Sequence, residues 1–94
     1  MREKIVEHYL IQEVEKRGGF TRKYTSPGRR GVPDRIVFLP GKVIFVECKT
    51  PAGRLSGLQK NEIKRIEALG IPVMVVEHPL GVDHLMELYD ATRS

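Results

Sequence analysis

Ile5, Val6, Tyr9, Leu10 and Val14 fall on one stripe of residues 2–17, which predicts an amphipathic helix with Gly18-Gly19 as its stop. Residues 20–25 then alternate as a short strand. Two apolar runs follow, Ile36-Val37-Phe38-Leu39 and Val43-Ile44-Phe45-Val46, separated by Pro40-Gly41, and this is the pattern of a β-hairpin on a tight turn. A second helix is expected over about 56–69, closed by Gly70. Residues 71–76 form a continuous apolar run containing Pro72, consistent with a covered strand whose first residues cannot donate to the ladder. A last helix is expected over about 83–92 with Asp83 as its N-cap. The order is helix, three strands, helix, strand, helix. A strand-helix-strand crossover after an antiparallel hairpin gives an α/β fold, a mixed sheet flanked by helices. Such a sheet needs cover on both faces and so short a chain has few helices to supply it; a homodimer would help.

The hairpin also carries the candidate chemistry. With Pro40 and Gly41 as the loop, Leu39 faces Lys42, and counting outward sets Asp34 directly opposite Glu47. Glu47 and Lys49 are two apart, so Lys49 projects from the same face while Cys48 points to the other. Opposed carboxylates at roughly 5 Å repel unless one is protonated or a cation sits between them, and a hard divalent cation fits best. Phosphodiester hydrolysis needs these parts, acidic oxygens to hold Mg²⁺ and a cation beside the attacking water or scissile phosphate. The competing reading is a solvated ion-pair cluster at a sheet edge. On the first helix Glu3 falls within the apolar arc and Glu7 at its edge, whereas Glu13 and Glu15 look like solvent residues. Either Glu3 or Glu7 adds a carboxylate to the site, or both sit in the first turns because the helix dipole favours acids there. Ser56-x-x-Gln59 has the form of a capping box, and Gln59 is otherwise placed to reach the site and position Lys49 or a water. Glu62 lies mid-stripe among leucines, where a buried partner or a dimer contact would account for it.

Ninety-four residues suit one small domain, taken as 1–94, and no twenty-residue apolar run suggests a membrane span. The charged amphipathic start does not read as a secretory signal, and the single cysteine, Cys48, reads as a small buried thiol. An intracellular, cytoplasmic protein is expected. His8, His78 and His84 show no metal-ligand spacing and read as surface residues. The net charge of +4 is unevenly placed: residues 1–50 carry eleven Lys/Arg against six Asp/Glu, and 51–94 carry five against six. The excess of base surrounds the hairpin, and the loop Ser26-Pro27-Gly28-Arg29-Arg30-Gly31 sets Arg29 and Arg30 where phosphates would be met.

Gly31-Val32-Pro33-Asp34, Val46-Glu47-Cys48-Lys49 and Gly53-Arg54-Leu55-Ser56 with Gln59 resemble the virus-type replication-repair nuclease (VRR-NUC) family of the PD-(D/E)xK superfamily. The opening Glu3-x-Ile5 helix, Gly18-Gly19, Lys23 and the Ser26–Arg30 loop extend the resemblance from Glu3 to about Val76. It implies an αβββαβ nuclease core, closed here by the last helix. Asp34 and Glu47 would be metal ligands, joined by the Cys48 carbonyl and by Glu3, with Glu7 as the alternative. Lys49 would activate water or stabilise the transition state, and Gln59 would orient Lys49 or substrate. Mg²⁺, replaceable by Mn²⁺, is the implied cofactor. Lys23, Ser26, Arg29, Arg30, Arg35 and Arg54 are the expected DNA contacts. Stand-alone members resemble Holliday-junction resolvases and tend to be homodimers, which implies branched DNA as substrate. Glu62 departs from the pattern, where a bulky apolar residue is expected.

Overall fold

The computed structural model of the chain describes residues 2–51 and 53–93. Helix α1 (Glu3–Lys16) leads into strand β1 (Phe20–Lys23), the hairpin β2 (Arg35–Leu39) and β3 (Lys42–Cys48), helix α2 (Gly57–Glu67), strand β4 (Val73–Val76) and helix α3 (Pro79–Ala91). The four strands form one sheet in the order β1-β2-β3-β4. The first three are antiparallel neighbours and β4 runs parallel to β3, because α2 carries the chain back across the sheet before β4 begins. The expected αβββαβ order, the mixed sheet and the closing helix are all present.

Alternation along the strands divides the sheet into two unlike faces. Val37, Leu39, Ile44, Val46, Cys48 and Val76 are buried on one face, beneath Val6, Leu10 and Val14 of α1 and Val82, Leu85, Met86 and Tyr89 of α3. This is the core. The other face carries Phe38, Phe45, Glu47 and their neighbours, and α2, which buries none of its own residues fully, lies toward β4. Phe20 and Val43 consequently remain 46% and 44% exposed, with the Phe20 ring stacked on Phe38 at 4.9 Å between centroids. The incomplete cover inferred from chain length is therefore confined to the face that also bears the acids.

Two elements differ from expectation. Helix α3 begins at Pro79 rather than near Asp83, because the His78 imidazole accepts from the Leu80 N–H at 3.1 Å and Pro79 occupies the first helical position, where a missing donor costs nothing. Asp83 is thereby free to accept from the Tyr9 hydroxyl and clamp α3 to α1. Glu13 is not a solvent residue: it is 9% exposed and accepts from Lys16 at 2.7 Å and Arg17 at 3.3 Å, while Arg17 also binds Asp90 of α3 through two nitrogens. A helix-helix ion network of this kind draws an acid off the apolar stripe into cover.

The first helix must end abruptly so that β1 can pair with β2. A Cβ on Gly19 would sit 2.2 Å from the Phe38 carbonyl oxygen. Gly19→Ala is accordingly expected to push β1 off β2 and lower stability by about 1–3 kcal/mol, read as a lower urea midpoint at unchanged m-value.

Candidate active site

The hairpin pairs Leu39 with Lys42 and continues outward to Arg35 with Val46, so the register places Asp34 level with Glu47. At that point regular pairing gives way to side chains. The Asp34 N–H donates to Glu47 Oε1 at 3.2 Å, and the Asp34 carboxylate accepts from the Cys48 N–H at 3.3 Å. Each acid thus takes up a backbone donor at the end where the two strands part, just before β2 begins and as β3 ends. Pro33, fully buried, supplies the preceding rigid step.

Lys49 follows two residues after Glu47, and its ammonium lies 3.6 Å from Glu47 Oε2. The same oxygen accepts from Gln59 Nε2 at 3.2 Å. Gln59 meanwhile completes the capping box: its Oε1 accepts from the Ser56 N–H at 2.9 Å and Ser56 Oγ accepts from the Gln59 N–H at 3.1 Å. One side chain thus makes both contacts, its oxygen capping α2 while its nitrogen reaches Glu47 rather than Lys49. The start of α2 is thereby tied to β3.

Burial dominates the electrostatics. It pushes the Asp34 carboxyl up to about 7, aided by the charge of Glu47 and, less strongly, of Glu7 and Glu3. Burial raises Glu47 as well, with Lys49 opposing the shift. Glu47 is only 5% exposed. Cys48 is pushed up to about 12, chiefly by burial and then by Asp34, so its thiol stays protonated and inert. Lys49 is the cation paired with Glu47, and no ion pair accompanies Asp34 among the described residues.

The two acids of α1 occupy different surroundings. Glu7 is bound to Arg35 at 3.2 Å, and its charge bears on Asp34 and Cys48. The charge of Glu3 bears on both Asp34 and Glu47, and no ion pair holds it among the described residues. Glu7 is thus engaged on the sheet's inner side by Arg35, while Glu3 touches the site through its charge alone.

The expected DNA contacts divide in the same way. Lys23, Arg30 and Arg54 are exposed and Ser26 is half-buried. Arg35 is not a surface residue: it is 8% exposed, donates to Thr21 Oγ1 at 2.8 Å, pairs with Glu7, and leaves its Nε without an acceptor. Alternation along β2 carried that signal, since a neighbour of Asp34 must face the opposite side of the sheet. Arg29 is exposed but hydrogen-bonded to Glu62. The Glu7-Arg35-Thr21 cluster has no sequence spacing that marks it, because its members come from α1, β2 and β1.

Among the described residues, no three His, Cys, Asp or Glu side chains gather closely enough to hold an ion by themselves. Magnesium does not require that. It commonly keeps several waters and takes one or two carboxylates together with substrate phosphates. Two hard carboxylates, Glu47 buried and Asp34 half-buried, with Lys49 beside only the first, fit that donor set. An open groove of about 550 Å³, bounded by Arg2, Lys4, Ile5, His8, Tyr9, Gln12 and Pro79, lies elsewhere, and none of Asp34, Glu47, Lys49 or Gln59 lines it.

Residues 4–78 match the family model of the VRR-NUC domain. The chain belongs to the VRR-NUC family. It is similar to "Putative nuclease p44" of Acyrthosiphon pisum secondary endosymbiont phage 1, with 51% identity over 78 residues that span 82% of this chain and 84% of that protein. It is also similar to a solved VRR_NUC domain at 37% identity and a TM-score of 0.87, covering 93% of this chain and 96% of the other. The family match begins at Lys4, one residue after Glu3, and takes in Asp34, Glu47, Lys49 and Gln59.

The raised Asp34 carboxyl gives this VRR-NUC domain a definite pH response. Between about 4 and about 7 the folded chain keeps a proton that the unfolded chain, with its ordinary value of 3.8, has released. Metal-free stability therefore falls as pH rises through that window. Asp34→Asn, which keeps an acceptor for the Cys48 N–H, is expected to melt higher than wild type at pH 8 in chelator, with the difference closing toward pH 4.

Proposed function

We propose that the chain is a Mg²⁺-dependent endonuclease that hydrolyses phosphodiester bonds in branched DNA, most naturally four-way junctions, as a homodimer in the cytoplasm of a prokaryotic or phage-infected cell. The observation that carries this reading is the opposition of Asp34 and Glu47 on one hairpin, with Lys49 3.6 Å from Glu47. Membership of a nuclease family supports phosphodiester chemistry, and the name of the phage relative agrees with it. No helix among the described residues is long and apolar enough to cross a membrane.

Asp34 and Glu47 would hold the ion, with the Cys48 carbonyl beside them and Glu3 as the α1 acid, since Glu7 is engaged by Arg35. Bound there, Mg²⁺, or Mn²⁺ in its place, would supply Lewis-acid charge to the scissile phosphate and lower the pKa of a coordinated water. The chain's own residues do the rest. Glu47 anchors the Lys49 ammonium on the acid-bearing face, where it can orient a water or balance charge that develops on the phosphate. Gln59 holds Glu47 Oε2 from the other side, so that Lys49 and Gln59 share one fixed point. Lys23, Arg30 and Arg54 provide exposed positive charge for the DNA backbone.

The half-covered face supports the dimer. Phe20 and Val43 are about half-exposed there, and a second copy would complete the cover. A two-fold dimer also sets two sites in symmetric relation, as paired cuts in a four-way junction require.

A labelled four-way junction, a flap and a duplex of matched sequence, incubated with Mg²⁺ and with chelator, test this reading. Paired symmetric nicks in the junction alone are the expected result. Lys49→Ala and Asp34→Ala are each expected to lose at least about a hundredfold in rate, and light scattering is expected to give twice the chain mass. Cleavage of every substrate would replace junction specificity with a general nuclease. Binding without Mg²⁺-dependent cleavage would mean a non-catalytic DNA-binding domain.

A further inference from the structure

Glu62 sits on the inner side of α2 and takes no part in the chemistry above. Its carboxylate, 12% exposed, accepts from Arg29 Nε at 2.9 Å, whereas the Arg29 side chain is 47% exposed. The contact uses Nε alone, which leaves Nη1 and Nη2 outside it. A carboxylate that holds a guanidinium by Nε fixes the plane of the fork and points the two Nη groups away. Paired Nη donors are what a phosphate accepts in bidentate geometry.

A second contact shows that the loop rests on α2 independently of this ion pair. Gly31, at φ +86°, packs so closely that an added Cβ would lie 2.6 Å from the Leu58 carbonyl and 2.9 Å from the Gln59 nitrogen. Within the loop, the Arg29 N–H donates to the Ser26 carbonyl at 3.0 Å. The basic loop is thus seated on the first turns of α2, beside the Gln59 that reaches Glu47. Glu62 supplies the side-chain half of that seat.

We propose that Glu62 is a positioning residue for DNA: it holds Arg29 by Nε so that the Nη pair grips a backbone phosphate next to the candidate active site. This rests on the nuclease reading given above and adds to it the contact that sets the phosphate. Two effects of Glu62 on a polyanion oppose each other. Its charge repels DNA, while its hold on Arg29 removes the rotamer freedom that gripping a phosphate would otherwise cost. Glu62 is largely covered and Arg29 stands between it and solvent, so the positioning effect prevails.

The sign of a single substitution tests this. Binding of labelled duplex and junction DNA is measured by fluorescence anisotropy in chelator over a range of salt, for wild type, Glu62→Ala, Glu62→Gln, Arg29→Ala and Glu62→Ala with Arg29→Ala. Glu62→Ala is expected to weaken binding by about threefold to tenfold although it removes a negative charge. Glu62→Gln, whose amide oxygen still accepts from Nε, is expected to hold near wild-type affinity. Arg29→Ala should lower the log-log salt slope by about one, and the double variant should bind no worse than Arg29→Ala alone. In cleavage with Mg²⁺, Glu62→Ala should raise KM and leave kcat unchanged. Tighter or unchanged binding by Glu62→Ala, or additive losses in the double variant, would overturn the proposal. If wild type cuts DNA and Arg29→Ala changes nothing, this inference fails and the nuclease reading stands. If wild type neither binds nor cuts DNA, both fail.

Discussion

Asp34 and Glu47 face each other because Leu39 pairs with Lys42, and every residue outward along the hairpin inherits that register. A slip of one position would turn the acids to opposite faces and bury a carboxylate in the core. The arrangement opposes folding as much as it serves chemistry, since burial raises both carboxyls and the charge of Glu47 raises Asp34 further. What holds it is the apolar side of the same strands. Val37, Leu39, Ile44 and Val46 are locked beneath α1 and α3, so the acids cannot separate without unpacking the core. Apolar packing is concentrated on one face of the sheet and the opposed acids lie on the other.

The remaining parts of the candidate site are arranged around that pair at little cost in chain length. Lys49 is reached by continuing β3 past Glu47, and Gln59 by starting α2 close enough for its capping side chain to span the gap. A residue that caps a helix is fixed in rotamer, so its free nitrogen is a better-placed donor than one on a mobile side chain. The same economy sets the basic loop on α2, through the close approach of Gly31 to Leu58 and the bond from Arg29 to Glu62. Loop, helix and hairpin therefore meet at the carboxylates as one connected unit.

Much of this was legible in the sequence because it depends on short-range periodicity. The two apolar runs and Pro40-Gly41 specify hairpin and register together, and from the register follow the opposition of Asp34 and Glu47 and the side on which Lys49 lies. The Ser56-x-x-Gln59 spacing announces the cap. What was not legible joins elements far apart in the chain. Glu13 is drawn into cover by Arg17 and Asp90, and Asp83 bonds Tyr9 rather than capping its own helix. Glu62 finds its partner thirty-three residues earlier in a loop whose path no pattern predicts. Arg35 is the instructive case. Its placement follows from alternation alone, yet a positive charge beside an acidic motif invites a phosphate role that burial against Glu7 and Thr21 forbids.

Central to the account is a divalent cation between Asp34 and Glu47, and proton release on binding tests it most directly. Calorimetric titration of Mg²⁺ or Mn²⁺ into the metal-free protein at pH 7, in buffers of different ionisation enthalpy, gives the number of protons released. With the Asp34 carboxyl near 7, about half a proton should leave on binding at pH 7, falling toward zero by pH 9. Asp34→Asn should abolish that release and weaken the binding. Cation binding that releases no proton and survives Asp34→Asn would place the ion elsewhere and contradict the account.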